Sequence, residues 1–161
     1  MKFLFCFLAL TIASSFGVQA KEMNHRLGVG PKVPFSTDLP GIAVHYFPNE
    51  DYAITGAVGI STVKDFSQLG VQAGIRRILF EETNMNFFVG GNLGVISTES
   101  NGVNQSGFEL MALSGGEFFF QGLENLGFNF EMGVGVSSLK NSNSFFTIAK
   151  TPVHAGMIFY F

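Results

Sequence analysis

Tryptophan is missing from this 161-residue chain, and its single cysteine is Cys6. One cysteine excludes an internal disulfide, so any fold must hold without that staple. Charge is scarce as well: 13% of residues are Asp, Glu, Lys or Arg, against roughly 25% in ordinary soluble domains. Beyond the first twenty residues no apolar run approaches the ~20 residues that a membrane-crossing helix needs. Basic residues form no cluster and the net charge is −3, which argues against a nucleic-acid partner. No set of His, Cys and Asp has metal-ligand spacing, and no glycine-rich turn precedes a helix to cradle phosphate. Neither a metal nor another cofactor is expected.

What is present begins with an export pattern. Lys2 supplies a positive start, Phe3 to Ile12 an apolar stretch, and Val18-Gln19-Ala20 a small-residue cleavage site. Polar Ser14 and Ser15 follow the apolar stretch, which is too short to serve as an anchor helix. Cys6 lies inside that stretch rather than just after a cleavage site, so it does not read as a lipid-acylation site. The expected division is a cleaved signal peptide over 1–20 and one domain over 21–161.

Within 21–161 the dominant signal is a period of two. Phe128, Phe130, Met132, Val134 and Val136 alternate with Asn129, Glu131, Gly133, Gly135 and Ser137. A strand sends successive side chains to opposite faces, so this stretch has one greasy face and one polar or small face. The pattern recurs at Tyr52–Ser61, at Gln68–Arg76, around Asn86–Val95 and from Val153 to Phe161. Weaker versions complete eight expected strands: 25–35, 40–47, 52–62, 68–80, 85–98, 106–120, 127–138 and 148–161. Links at 48–51, 81–84 and 121–126 read as tight turns. Those at 36–39, 63–67, 99–105 and 139–147 are rich in Ser, Asn, Thr and Lys, two of them clearly longer, which places 81–84 at the inner end and 99–105 outside.

A soluble barrel alternates too, but it turns large apolar residues inward and Lys, Glu and Asp outward. Here the face opposite the apolar one is mostly Gly, Ala, Ser, Asn, Thr and Gln, a composition suited to the interior of a narrow barrel. The expected fold is therefore all-β: an eight-stranded antiparallel up-and-down transmembrane β-barrel. Aromatics at Tyr46, Phe47, Tyr52, Phe80, Phe87, Phe88, Phe118 to Phe120, Phe128, Phe159, Tyr160 and Phe161 gather near the tight turns and the C-terminus, where an interfacial girdle would lie.

The final segment, Val153-His-Ala-Gly-Met-Ile-Phe-Tyr-Phe161, resembles the closing strand of bacterial outer-membrane proteins. The chain as a whole is similar in pattern to the small eight-stranded class typified by the OmpA membrane domain and OmpX. That resemblance implies export to a Gram-negative outer membrane and contact with its lipid and lipopolysaccharide. It also implies an assembly signal at Met157, Phe159 and Phe161, read by the barrel-assembly machinery, and a monomer in the membrane.

The expected register points Arg26, His45, Arg76, Glu109, Glu117, Glu131 and His154 into the lumen. Buried charges must be paired, so an Arg76–Glu117–Glu131 network is expected to plug and stiffen the barrel, a gated ion path being the alternative. Arg77 faces out near the rim unless a bulge reverses the register. Small inward residues at Ala57, Gly59, Ser61, Gly70, Gly90, Asn92, Gly94, Gly133, Gly135 and Ser137 leave two readings of the outer lumen. They either frame a cavity open to the outside or allow strands to approach closely. A structural or surface-interaction barrel is the leading expectation, and a narrow pore or small-ligand carrier the second. A lipid-modifying enzyme would need His154, Ser137 or Ser138, and Glu109 to converge, and nothing in their spacing singles them out, so no catalysis is expected.

Overall fold

A computed structural model describes residues 23–139, 142–147 and 154–161. The expected signal peptide, 1–20, lies outside the described residues, as does the first part of the expected eighth strand. The strands are β1 (Leu27–Lys32), β2 (Gly41–Tyr46), β3 (Tyr52–Val63), β4 (Phe66–Glu82), β5 (Met85–Ser100), β6 (Val103–Phe119), β7 (Leu126–Leu139), β8 (Ser142–Thr147) and β9 (His154–Tyr160). Each pairs antiparallel with its neighbours, and β1–β9 and β6–β7 contacts close the sheet on itself. The result is a closed eight-stranded barrel with no helix among the described residues.

Nine segments fill eight positions because β8 and β9 share one. Along β7, Leu126 to Glu131 pair with β9 and Val134 to Leu139 pair with β8. The barrel is staggered as well as closed. Hydrogen-bonded partners followed from Lys32 through β2 and β3 reach β4 at Gly70. Followed the other way through β9, β7, β6 and β5, they reach β4 at Glu81. A shift of this size is what tilting eight strands into a closed cylinder requires.

The alternation in the sequence becomes a difference between two surfaces. Ile54, Val58, Ile60, Leu69, Val71, Ile75, Leu93, Val95, Leu110, Val134 and Val136 are exposed on the outside. Between them on the same strands, Thr55, Gln68, Gln72, Arg76, Asn92, Glu109 and Glu131 are buried inside. Arg76 points in and Arg77 out, and the irregularity in β4 falls just beyond them, between Ile78 and Phe80. That bulge leaves Leu79 and Phe80 both exposed, with Phe80 stacked on Phe87 at 4.6 Å between ring centroids.

The connections depart from expectation. The stretch 99–105 is not a long loop: β5–β6 turns at Asn101-Gly102, just as β3–β4 turns at Lys64-Asp65, with positive φ at Asp65, Asn101 and Gly102. Left-handed backbone at these positions is what two-residue hairpins demand. Length goes into the strands instead. β4 and β6 have 17 residues each, and the β3–β4 and β5–β6 hairpins project beyond the end of the β1–β2 ladder at Lys32 and Gly41. Their tips are joined by Asn101 N–H donating to the Asp65 carbonyl at 2.9 Å.

Candidate functional site

The interior of the barrel holds nearly all of the buried polar chemistry, and it is layered. At the end carrying both the start of β1 and Phe161, inward Met23, Ala43, Phe47, Ala53, Phe119, Ile158 and Tyr160 form an apolar floor. Phe47 and Phe119 lie against the Tyr160 ring with centroids 5.9 and 6.0 Å away. Four aromatics expected in a girdle, Phe47, Phe88, Phe119 and Tyr160, are thus inside. The alternation puts every second residue there regardless of type, and three of them close the floor.

Above the floor lies a charged layer. Lys32 Nζ donates to both Glu131 carboxylate oxygens at 2.8 and 2.7 Å, and Arg76 Nη2 donates to Glu131 Oε1 as well. The Arg76 guanidinium also covers the Phe88 ring, 4.5 Å from its centroid. Glu117 is reached by the Tyr160 hydroxyl, which donates to Oε1 at 2.7 Å, while His45 Nδ1 lies 3.1 Å from the same hydroxyl. Because that hydroxyl gives its proton to Glu117, the geometry assigns the His45 proton to Nδ1. Both partners of Glu131 are cations, so it neutralises one charge and leaves the trio net positive. Glu117 adds a balancing carboxylate nearby.

The expected network is present for Arg76 and Glu131, while the described hydrogen bond to Glu117 comes from Tyr160. Lys32 is the member that sequence reasoning missed. It shares the inward phase of Gly28 and Gly30, and that phase is the signal by which it was to be found. Arg26 is not in the lumen: it precedes β1 at the rim and donates to Asn125 Oδ1 at 3.1 Å. His154 is buried beside Glu131 in the β7–β9 ladder, with Nε2 lacking a hydrogen-bond partner.

A neutral layer follows, where Asn92 Nδ2 donates to Gln72 Oε1 at 3.3 Å. Over it the chain between β1 and β2 turns into the barrel. Pro34, Phe35 and Leu39 are fully buried, Leu39 and Phe35 packing with Ile96 of β5. Gln72 Nε2 donates to the Pro34 carbonyl at 3.0 Å. Across the lumen the Ser36 hydroxyl and amide donate to Glu109 Oε2 of β6 at 2.5 and 3.3 Å. The inward glycines are fitted to this segment. A Cβ on Gly70 would stand 2.7 Å from the Phe35 ring, and one on Gly59 would stand 2.9 Å from Leu39.

The small-residue outer lumen is therefore occupied. Pro34 and Pro40 bracket the segment; neither has an amide proton to give to a ladder, and β1, which already accommodates Pro31, ends at Lys32 instead of 35. Comparison of the chain with protein-family models, with curated proteins and with solved structures finds no match. Chemistry must then be argued from the interior alone.

The hydrolytic trio does not assemble there. His154 stands opposite Glu131, whereas Ser137 lies six residues further along β7, about 20 Å at strand spacing. Glu109 is opposite Ser137, but its described hydrogen bonds go to Ser36. Among the described residues no three His, Cys, Asp or Glu side chains come together as a metal site.

Proposed function

We propose that this chain is an exported outer-membrane β-barrel with a closed lumen, whose work is structural and surface-interacting rather than catalytic. The observation that carries the reading is its inverted polarity. Ile60 is 68% and Leu93 57% exposed outside, while Lys32, Arg76, Glu109 and Glu131 are at most 5% exposed inside. In water that arrangement wastes the hydrophobic effect, and in a bilayer it satisfies it, because the closed sheet pairs its backbone ladders and the apolar belt meets acyl chains. The resemblance of the closing strand to outer-membrane proteins supports the same compartment. Its corollaries are cleavage after Ala20, recognition of Phe161, Phe159 and Met157 by the barrel-assembly machinery, and a monomer among lipid and lipopolysaccharide.

A standing pore is disfavoured by the apolar floor and by the inserted segment 33–40. The surface role is supported by the projecting β3–β4 and β5–β6 hairpins. On the latter, Ser97 Oγ lies 3.1 Å from both Asn104 Oδ1 and Ser106 Oγ, a polar face suited to water and headgroups. The test combines fractionation with bilayer recording. The protein should float with outer-membrane vesicles, resist alkaline extraction and show a heat-modifiable gel band, and its purified form should leave a planar bilayer silent. Recovery in the soluble fraction would overturn the membrane reading, and a steady conductance would overturn the closed lumen.

A further inference from the structure

We propose that residues 33–40 are a displaceable plug, latched by Ser36 on Glu109. When withdrawn, it uncovers a blind pocket facing the projecting hairpins, with the Lys32–Glu131–Arg76 layer as its base. The inference rests on how the segment is held. Strands β3 to β6 around it are held to one another by long backbone ladders. Within 33–40 the described backbone amide contacts are Val33 N–H to the Ala155 carbonyl, Asp38 N–H to the Phe35 carbonyl and Ser36 N–H to Glu109. The second of these lies inside the segment, where Asp38 takes a positive φ of 56° to turn the chain back. No described backbone-to-backbone bond ties its tip to the far wall, which reaches it only through the Gln72 and Glu109 side chains.

Opposing terms of similar kind govern whether it stays docked. Phe35 and Leu39 gain burial against Gly70, Gly59 and Ile96, which favours insertion. Insertion also strands polar atoms: Thr37 Oγ1, Asn92 Oδ1 and Glu109 Oε1 are buried without a hydrogen-bond partner. Glu109 has no cationic partner among the described residues, so its carboxylate depends on Ser36 alone. Withdrawal gives all three atoms back to water. The base of the pocket does not move with the plug, because Lys32 is in the β1 ladder and Arg76 and Glu131 are in long strands. An opened plug therefore makes a pocket and not a channel.

Cysteine accessibility tests this, since residues 21–161 contain no native cysteine. Asn92→Cys places a thiol under the plug and Ala53→Cys places one in the apolar floor. Each is made in the full chain, assembled in lipid vesicles and treated with a small water-soluble methanethiosulfonate. Ser36→Ala should speed modification at position 92 by about tenfold or more, the factor set by losing one hydrogen bond to a carboxylate. Phe35→Ala with Leu39→Ala should speed it at least as much, and position 53 should stay protected in both backgrounds. Unchanged rates at 92 in barrels that keep their heat-modifiable band would overturn the proposal. Equal acceleration at 53 would overturn it too, since the whole barrel would then have loosened. Amide exchange of the unmutated chain gives an independent reading. The amides of 35–39 should exchange faster than those of Ala57 and Val71, and equal protection would mean a fixed plug.

Discussion

Glu131→Gln removes the one negative charge that lies between two buried cations. Lys32 holds both carboxylate oxygens and Arg76 one of them, with all three side chains almost wholly shielded from solvent. Gln keeps the volume and a carbonyl acceptor but leaves Lys32 and Arg76 repelling each other in a low-dielectric layer. Breaking one side of a buried pair costs about 3–5 kcal/mol, mostly as the penalty of the orphaned charge. At a urea slope of ~2 kcal/mol/M, a loss near the middle of that range lowers the unfolding midpoint by about 2 M. Lys32→Met should cost less, because Glu131 keeps Arg76 and one repulsion disappears. Replacing all three by Met, Leu and Leu in a Glu117→Gln background, so that the carboxylate balancing the two cations is not stranded in turn, should fall within about 1–2 kcal/mol of the parent. The assay is urea unfolding in lipid vesicles at matched pH, followed by the heat-modifiable band and circular dichroism, since the chain has no tryptophan to report. The reasoning fails if Glu131→Gln unfolds like the parent, or if the triple replacement in that background is as weak as the single one.

Val134→Arg should be far more damaging than Gly135→Ser: Val134 faces outward at mid-strand, where Arg costs roughly 2–4 kcal/mol, and Gly135 faces the lumen. Comparing the folded fraction of the two variants in vesicles checks this, equal yields counting against the membrane belt. Deleting Phe161 removes the mutual backbone pair between Phe161 and Leu27, at 2.9 and 3.3 Å, that closes the barrel at its rim. Envelope fractions should then lose the heat-modifiable form. Mass spectrometry of membrane-extracted protein should find a chain beginning at Lys21, and an intact Met1 would contradict export.

The barrel was legible because its controlling physics is local. A strand of period two reports its own faces, and the inward assignments of Arg76, Glu109, Glu117, Glu131 and His154 needed only the phase of each strand. Counting strands was equally local, apart from the division of the last position into β8 and β9. Partners were harder. Arg76 and Glu131 are 55 residues apart and Lys32 and Glu131 are 99, and their meeting depends on stagger around the whole cylinder. Phase says that a residue points inward; only closure says at what height.

The segment 33–40 marks where local reasoning stops. Phe35 and Leu39 read as ordinary strand or loop residues, and Gly59 and Gly70 as small residues that either frame an open cavity or let strands approach closely. Each reading is sound alone, since an inward glycine leaves space wherever it stands. What turns the two into one feature is complementarity: the ring of Phe35 fills the volume that Gly70 lacks, and Ser36 supplies the donors that Glu109 needs. The two prolines were the local hint, because Pro34 and Pro40 have no amide proton to give to an extended ladder and follow Pro31, which β1 already accommodates. A chain that cannot continue up the wall must leave it. Outward it would set Phe35 and Leu39 in water; inward it finds glycines, Ile96 and a carboxylate wanting donors. Insertion is the solution that buries the apolar pair while giving the Ser36 hydroxyl and amide a partner.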